Sequence, residues 1–241
     1  MSNKHFFGFI VLVLAVLFGW MVYDMRNDSN SVGKEGGSRD FLIGTDGSTA
    51  QIQYLFHFMD PVYSHSLDTG QIEVLSRKEG EAEHYHVYGL TQASYKMDAL
   101  YEFNWSKAWF KDEYSMWVEN LRVDFSYNTM NVYVTSNYAE GACEYGQTLD
   151  HENQHVQIHR QVYFQYQKIL QQVLGDSKEI PLPSRPILVH SKEEGKEKVG
   201  KIISGVIDPV FDRFRDALAA EQAKIDTPDN YAALRSKCDH W

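Results

Sequence analysis

The sequence predicts an α+β protein: an N-terminal membrane helix, then an antiparallel β-sheet, then two long helices. Three observations predict it. Phe6–Tyr23 is an uncharged apolar run of 18 residues, just long enough to cross a bilayer as a helix. Apolar and polar residues then alternate through several segments between Ala50 and Ser136, with no helical stretch between them, which is the pattern of neighbouring antiparallel strands. From Gly141 onward the apolar period becomes helical and, broken once by a proline-rich segment, holds to Lys224.

The amounts agree with one domain. The chain has 241 residues, 43% hydrophobic and 14% aromatic, enough for a sizeable core. A net charge of −10 and a pI near 5.4 leave no basic footprint, so nucleic acid is excluded as a partner class. No run of Lys or Arg marks a polybasic lipid-binding patch.

At the N-terminus, Lys4 precedes the apolar run, while Asp24, Arg26 and Asp28 follow it and nearly cancel. The positive-inside bias places the short stub in the cytoplasm and the bulk of the chain outside, on the periplasmic or extracytoplasmic side. No A-x-A site precedes Asp24, so residues 1–26 read as an uncleaved, single-pass anchor in the inner membrane. Residues 27–48 are rich in Ser, Gly, Asn and Asp and read as a flexible linker. The extracytoplasmic domain spans residues 49–241, with a β part over 49–137 and a helical part over 141–241.

Within the β part, Ile52, Tyr54, Phe56 and Phe58 share one face of a strand that Pro61 ends. A short candidate follows at Tyr85–Leu90, and Tyr95–Trp105 alternates again. Leu121, Val123, Phe125 and Tyr127 mark a further strand, and Asn128-Thr129-Met130 reads as a turn into a returning strand through Val132 and Val134. In the helical part, Gly141–Leu174 is a long helix that ends at Gly175. Pro181, Pro183 and Pro186 make Asp176–Val189 a loop. The second helix, about Ser191–Lys224, carries a stripe of Ile203, Ile207, Val210, Phe214, Leu218 and Ile225, with Pro209 as a kink. A Thr-Pro-Asp-Asn turn then opens the tail.

The chemistry is concentrated in the first long helix, where His151, Glu152 and His155 spell H-E-x-x-H within LDHENQHVQIHR. Residues four apart share a helix face, so both imidazoles can bind one metal ion, and Glu152 beside them can take a proton from water. Ile158, Val162, Tyr166, Ile169 and Val173 continue the histidine face as an apolar stripe, so the histidines point inward, where neutral imidazoles need partners. Zinc is the implied metal and Glu152 the implied general base of a hydrolase.

A catalytic zinc takes a third protein ligand. His159 stands about 12 Å along the helix from His151, too far to converge. Asp208, Asp212 and Asp216 line the face opposite the second helix's stripe. Glu221 falls between Leu218 and Ile225 on the stripe itself and is the favoured third ligand, with Asp226 in reserve. Glu144 lies inward but about 10 Å before His151. Tyr145, Tyr163, Tyr231 and His159 remain open as oxyanion stabilisers, and the strand around Val132–Ser136 as the docking edge for an extended substrate. The two cysteines, Cys143 and Cys238, lie beyond the anchor and are expected to form a disulfide pinning the tail to the start of the histidine helix.

HENQH on a helix, with β structure before it and a second helix after it, resembles the zincin metallopeptidases, particularly those with a Glu third ligand. Tyr138 through His159, together with Ile225-Asp226-Thr227-Pro228 before Cys238, is similar to bacterial envelope proteins described as predicted secreted zinc-dependent proteases. The likeness covers about residues 84–241 and implies zinc on His151 and His155, with Glu152 as base. There is no HExxHxxGxxH extension and no N-E-x-x-x-D pattern. The expected activity is hydrolysis of peptide or protein substrates in the cell envelope. The alternative is a non-catalytic envelope binding or structural protein with a degenerate or structural metal site.

Overall fold

The computed structural model describes residues 39–43, 50–76 and 87–241. The predicted anchor over residues 1–26 lies outside them, and no described helix is long and apolar enough to cross a membrane. The six described strands form one sheet: β1 (Arg39–Ile43), β2 (Ala50–His57), β3 (Val62–Ser64), β4 (Gly89–Lys107), β5 (Tyr114–Val134) and β6 (Ile187–Val189). The helices are α1 (Thr69–Ser76), α2 (Cys143–Asp176), α3 (Lys192–Gln222) and α4 (Pro228–Arg235). Strand β1 lies inside the stretch read from sequence as linker.

The sheet is mixed, which corrects the antiparallel expectation. Strand β5 is its axis. One edge pairs along its whole length with β4, antiparallel. The other edge is shared end to end by β6, antiparallel, and by β2 and β3, both parallel to β5. Strand β1 then pairs antiparallel with β2. A parallel pair needs a long crossover, and the chain between β2 and β5 supplies one, through β3, α1 and β4. Alternation reports which face a side chain takes; it carries nothing about the direction of the neighbouring strand.

The other surprise is the length of β5. The turn read at Asn128–Met130 is an irregularity inside a single strand of 21 residues. Its buried apolar side chains change parity twice: Met116 and Val118, then Leu121 to Tyr127 at odd positions, then Met130, Val132 and Val134. Register shifts against β4 at Ser94/Tyr95 and Glu102/Phe103 mark the bulges responsible. Each extra residue restores the apolar set to the core face after the count would have rotated it outward.

Helices α2 and α3 both cover that face. Phe125 of β5 touches Tyr163 of α2 at 4.7 Å and Phe214 of α3 at 4.9 Å between ring centroids. Helix α3 runs continuously through Pro209, whose exposed position puts its missing donor on the solvent side. Helix α1, unforeseen, carries its own signal. Asp68 Oδ1 accepts from the Gln71 backbone N–H at 2.8 Å, and Gln71 Oε1 accepts from the Asp68 N–H at 2.9 Å, a reciprocal capping box. Helix α4 likewise replaces the expected tail turn: the Thr227 hydroxyl caps it, with Pro228 at its first position.

Cys143 and Cys238 form a disulfide, with Cα atoms 5.8 Å apart and a sequence separation of 95. It ties the segment after α4 to the first residue of α2. Replacing both cysteines by Ser releases a loop of that size, and chemical denaturation should show stability lower by about 4–5 kcal/mol.

Candidate metal centre

Helix α2 presents His151 and His155 one turn apart on its inward face, both more than 90% buried. Their Nε2 atoms are 3.2 Å apart. The third member comes from the turn between α3 and α4: Asp226 Oδ1 lies 3.2 Å from His151 Nε2 and 3.1 Å from His155 Nε2. These three side chains form the one metal-capable group among the described residues.

The triangle is nearly equilateral, and its size can be tested against a metal. Donors on a tetrahedral zinc with bonds of about 2.0–2.1 Å sit about 3.3–3.4 Å from one another. Edges of 3.1–3.2 Å match to within about 0.3 Å. Two imidazole nitrogens and one carboxylate oxygen are also the donor chemistry of that ion. His151, His155 and Asp226 therefore make a site able to hold a divalent metal.

The electrostatics favour positive charge at its centre. Burial works to raise the Asp226 carboxyl, but hydrogen bonds from His151 and His155, with the charge on His155, hold it well below the usual range. Burial works to lower His155, yet its hydrogen bond to Asp226 and the charge of Glu152 raise it to about 9.

Glu221 is not the third ligand. Its carboxylate pairs with Lys224 Nζ and its side chain is 45% exposed. Counting on from Phe214 and Leu218 in steps of four, the buried seam reaches Gln222 rather than Glu221. The helix ends there, and the next turn delivers Asp226. Gln222 has its own part, unread in the sequence: Oε1 accepts from His155 Nδ1, and Nε2 donates to the His155 carbonyl at 3.4 Å. That bond keeps the Nδ1 proton directed at Gln222, so that Nε2, once deprotonated, is the nitrogen that turns its lone pair to the centre. A lone amide on an apolar seam was the available clue.

Glu152 stands beside the triangle and outside the ligand set. Its side chain is buried, and Thr91 of β4 donates to Oε2 at 2.7 Å. Burial pushes its carboxyl up, opposed by the charges on His155 and His151 and by the Thr91 hydrogen bond. The first residue of β4 allows this approach. A Cβ on Gly89 would lie 2.5 Å from Glu152 Oε1 and 2.7 Å from Thr148 Cγ2. Gly89→Ala should therefore displace the Glu152 carboxylate and cost about 1–3 kcal/mol as overpacking, read by thermal denaturation and by the altered carboxylate position in a crystal of the variant.

Of the four possible oxyanion groups, one is at the site. Tyr231 of α4 donates to Asp226 Oδ1 at 2.8 Å, and its ring lies 5.2 Å from that of His151. Burial and the Asp226 charge push its hydroxyl far up, so it stays protonated. Tyr163 donates to the Phe125 carbonyl at 2.7 Å within the core. Tyr145 packs on His65. His159 pairs through Nδ1 with the Tyr127 hydroxyl at 2.9 Å, and burial lowers it to about 3. Asp208, Asp212 and Asp216 are exposed.

The edge expected for substrate is also corrected. Val132–Val134 is paired with β4 on one side, and β3 covers Asn131–Tyr133 on the other. The open edge is that of β4, which among the described residues pairs only with β5. The chain matches no protein-family model, no curated protein and no solved structure.

Proposed function

We propose that the chain is a zinc-dependent peptidase of the zincin type. The observation that carries this reading is a buried carboxylate, Glu152, held by Thr91 beside three convergent donors but not among them. A purely structural site closes all its positions with protein ligands, whereas a catalytic one keeps one open and needs a base. Here three donors leave the fourth position to substrate.

Zinc held by His151, His155 and Asp226 would supply Lewis acidity, polarising the scissile carbonyl and lowering the pKa of water toward about 7. Glu152 takes the proton from the attacking water as its oxygen bonds to the carbonyl carbon. It then delivers that proton to the nitrogen as the C–N bond breaks. The Tyr231 hydroxyl, which donates to Asp226 in the free site, turns to donate to the carbonyl oxygen as negative charge gathers there. Gln222 keeps His155 in the correct tautomer. An extended peptide aligns by adding its backbone to the open edge of β4 near Gly89–Ala93, a stretch that includes Thr91 beside the base. The disulfide supports an oxidising, extracytoplasmic compartment for this work.

The full chain, loaded with zinc, should cleave an unfolded protein such as casein, lose that activity to a chelator and regain it when zinc is restored. Activity indifferent to the chelator would overturn the reading.

A further inference from the structure

At the far end of the β4–β5 hairpin from Glu152 lies a second feature, independent of the metal centre. Trp109 and Phe110 occupy the tip and are 94% and 95% exposed. Other exposed large apolar side chains, such as Val74 at 67% and Leu100 at 65%, still rest partly on their own chain. These two rings touch almost nothing among the described residues. The loop itself is closed, with the Ala108 N–H donating to the Glu113 carbonyl at 3.0 Å.

We propose that this tip inserts into the headgroup region of a lipid bilayer. A protein partner would need a deep pocket to surround two adjacent rings on all sides, whereas a fluid interface closes around a protrusion of any shape. Indole and phenyl rings together suit that depth: the Phe ring is apolar, and Trp keeps its N–H among the polar headgroups. Charge agrees. Lys107 pairs with Asp112 at 3.1 Å and Lys111 with Glu113 at 3.9 Å. The loop Lys107–Glu113 therefore carries two positive and two negative groups, net zero, on a chain of net charge −10. It is a place where an acidic protein meets a membrane surface without repulsion. Just behind the tip, Lys192 Nζ sits 3.4 Å over the Trp105 ring, and the lysine stems can lie along the interface with their ammonium groups in water. From Lys107 back to Thr91 is about 50 Å of extended strand, so an inserted tip leaves the metal centre clear of the surface.

The test uses the full chain on vesicles of phosphatidylcholine and phosphatidylglycerol in equal parts, with bromine on the upper acyl chain of a fraction of the lipids. The chain has five Trp residues, so the Trp109 signal is taken as the difference between wild type and Trp109→Phe. The proposal expects bromolipid to quench that difference signal and vesicles to shield it from acrylamide, in low and high salt alike. It also expects Phe110→Ser to reduce both effects while leaving the far-UV circular dichroism unchanged. A difference signal that bromolipid leaves unquenched and acrylamide still reaches on vesicles would overturn it, whether the tip then faces water or serves a protein partner.

Discussion

Glu152→Gln should lower kcat for peptide hydrolysis by roughly 10²- to 10⁴-fold, the range of a lost general base, while zinc binding stays near wild type. The amide keeps the shape of the carboxylate and can still accept from Thr91, whose hydroxyl donates to Oε2 at 2.7 Å. It cannot take a proton from water. Because Glu152 is outside the donor triangle, stoichiometry measured by atomic absorption should remain one zinc per chain. Loss of zinc together with activity would instead make Glu152 a ligand, and full activity with zinc bound would remove it from the chemistry.

Asp226→Ala should weaken zinc binding by more than the roughly 10–100-fold typical of losing an outer-shell partner, because it deletes one of three donors. It also removes the acceptor of the Tyr231 hydroxyl and the carboxylate oxygen that both imidazole Nε2 atoms face at 3.1–3.2 Å. Competition against a chromogenic chelator measures the change. Glu221→Ala is the matched control: its carboxylate faces Lys224 at the surface, and removing it should leave the zinc affinity unaltered. The reverse outcome would restore Glu221 as the ligand and displace Asp226.

Part of this was legible in the sequence for simple physical reasons. His151, Glu152 and His155 belong to one helical turn, so their mutual placement is local and a four-residue spacing suffices to read it. The Cys143–Cys238 pairing was legible because only two cysteines exist. Asp226 was harder: it follows the end of α3, where helical counting stops, and only the capped turn at Thr227 fixes where it points. Glu221 looked better because a stripe drawn from Leu218 to Ile225 is a step of seven that skips six residues, and the buried step between them is Gln222. Thr91 and Gly89 are 61 and 63 residues from Glu152, and no local period connects a strand's first residues to a distant helix. The direction of β2 against β5, and the bulges that keep β5 whole, depend on pairings between segments that alternation does not encode.

The most direct measurement is a zinc-edge anomalous diffraction map from crystals of the zinc-loaded chain. The account predicts a single strong peak bounded by His151 Nε2, His155 Nε2 and Asp226 Oδ1, with the Glu152 carboxylate beside it and outside bonding distance. A peak held by Glu221, or no peak between the two imidazoles, would contradict it.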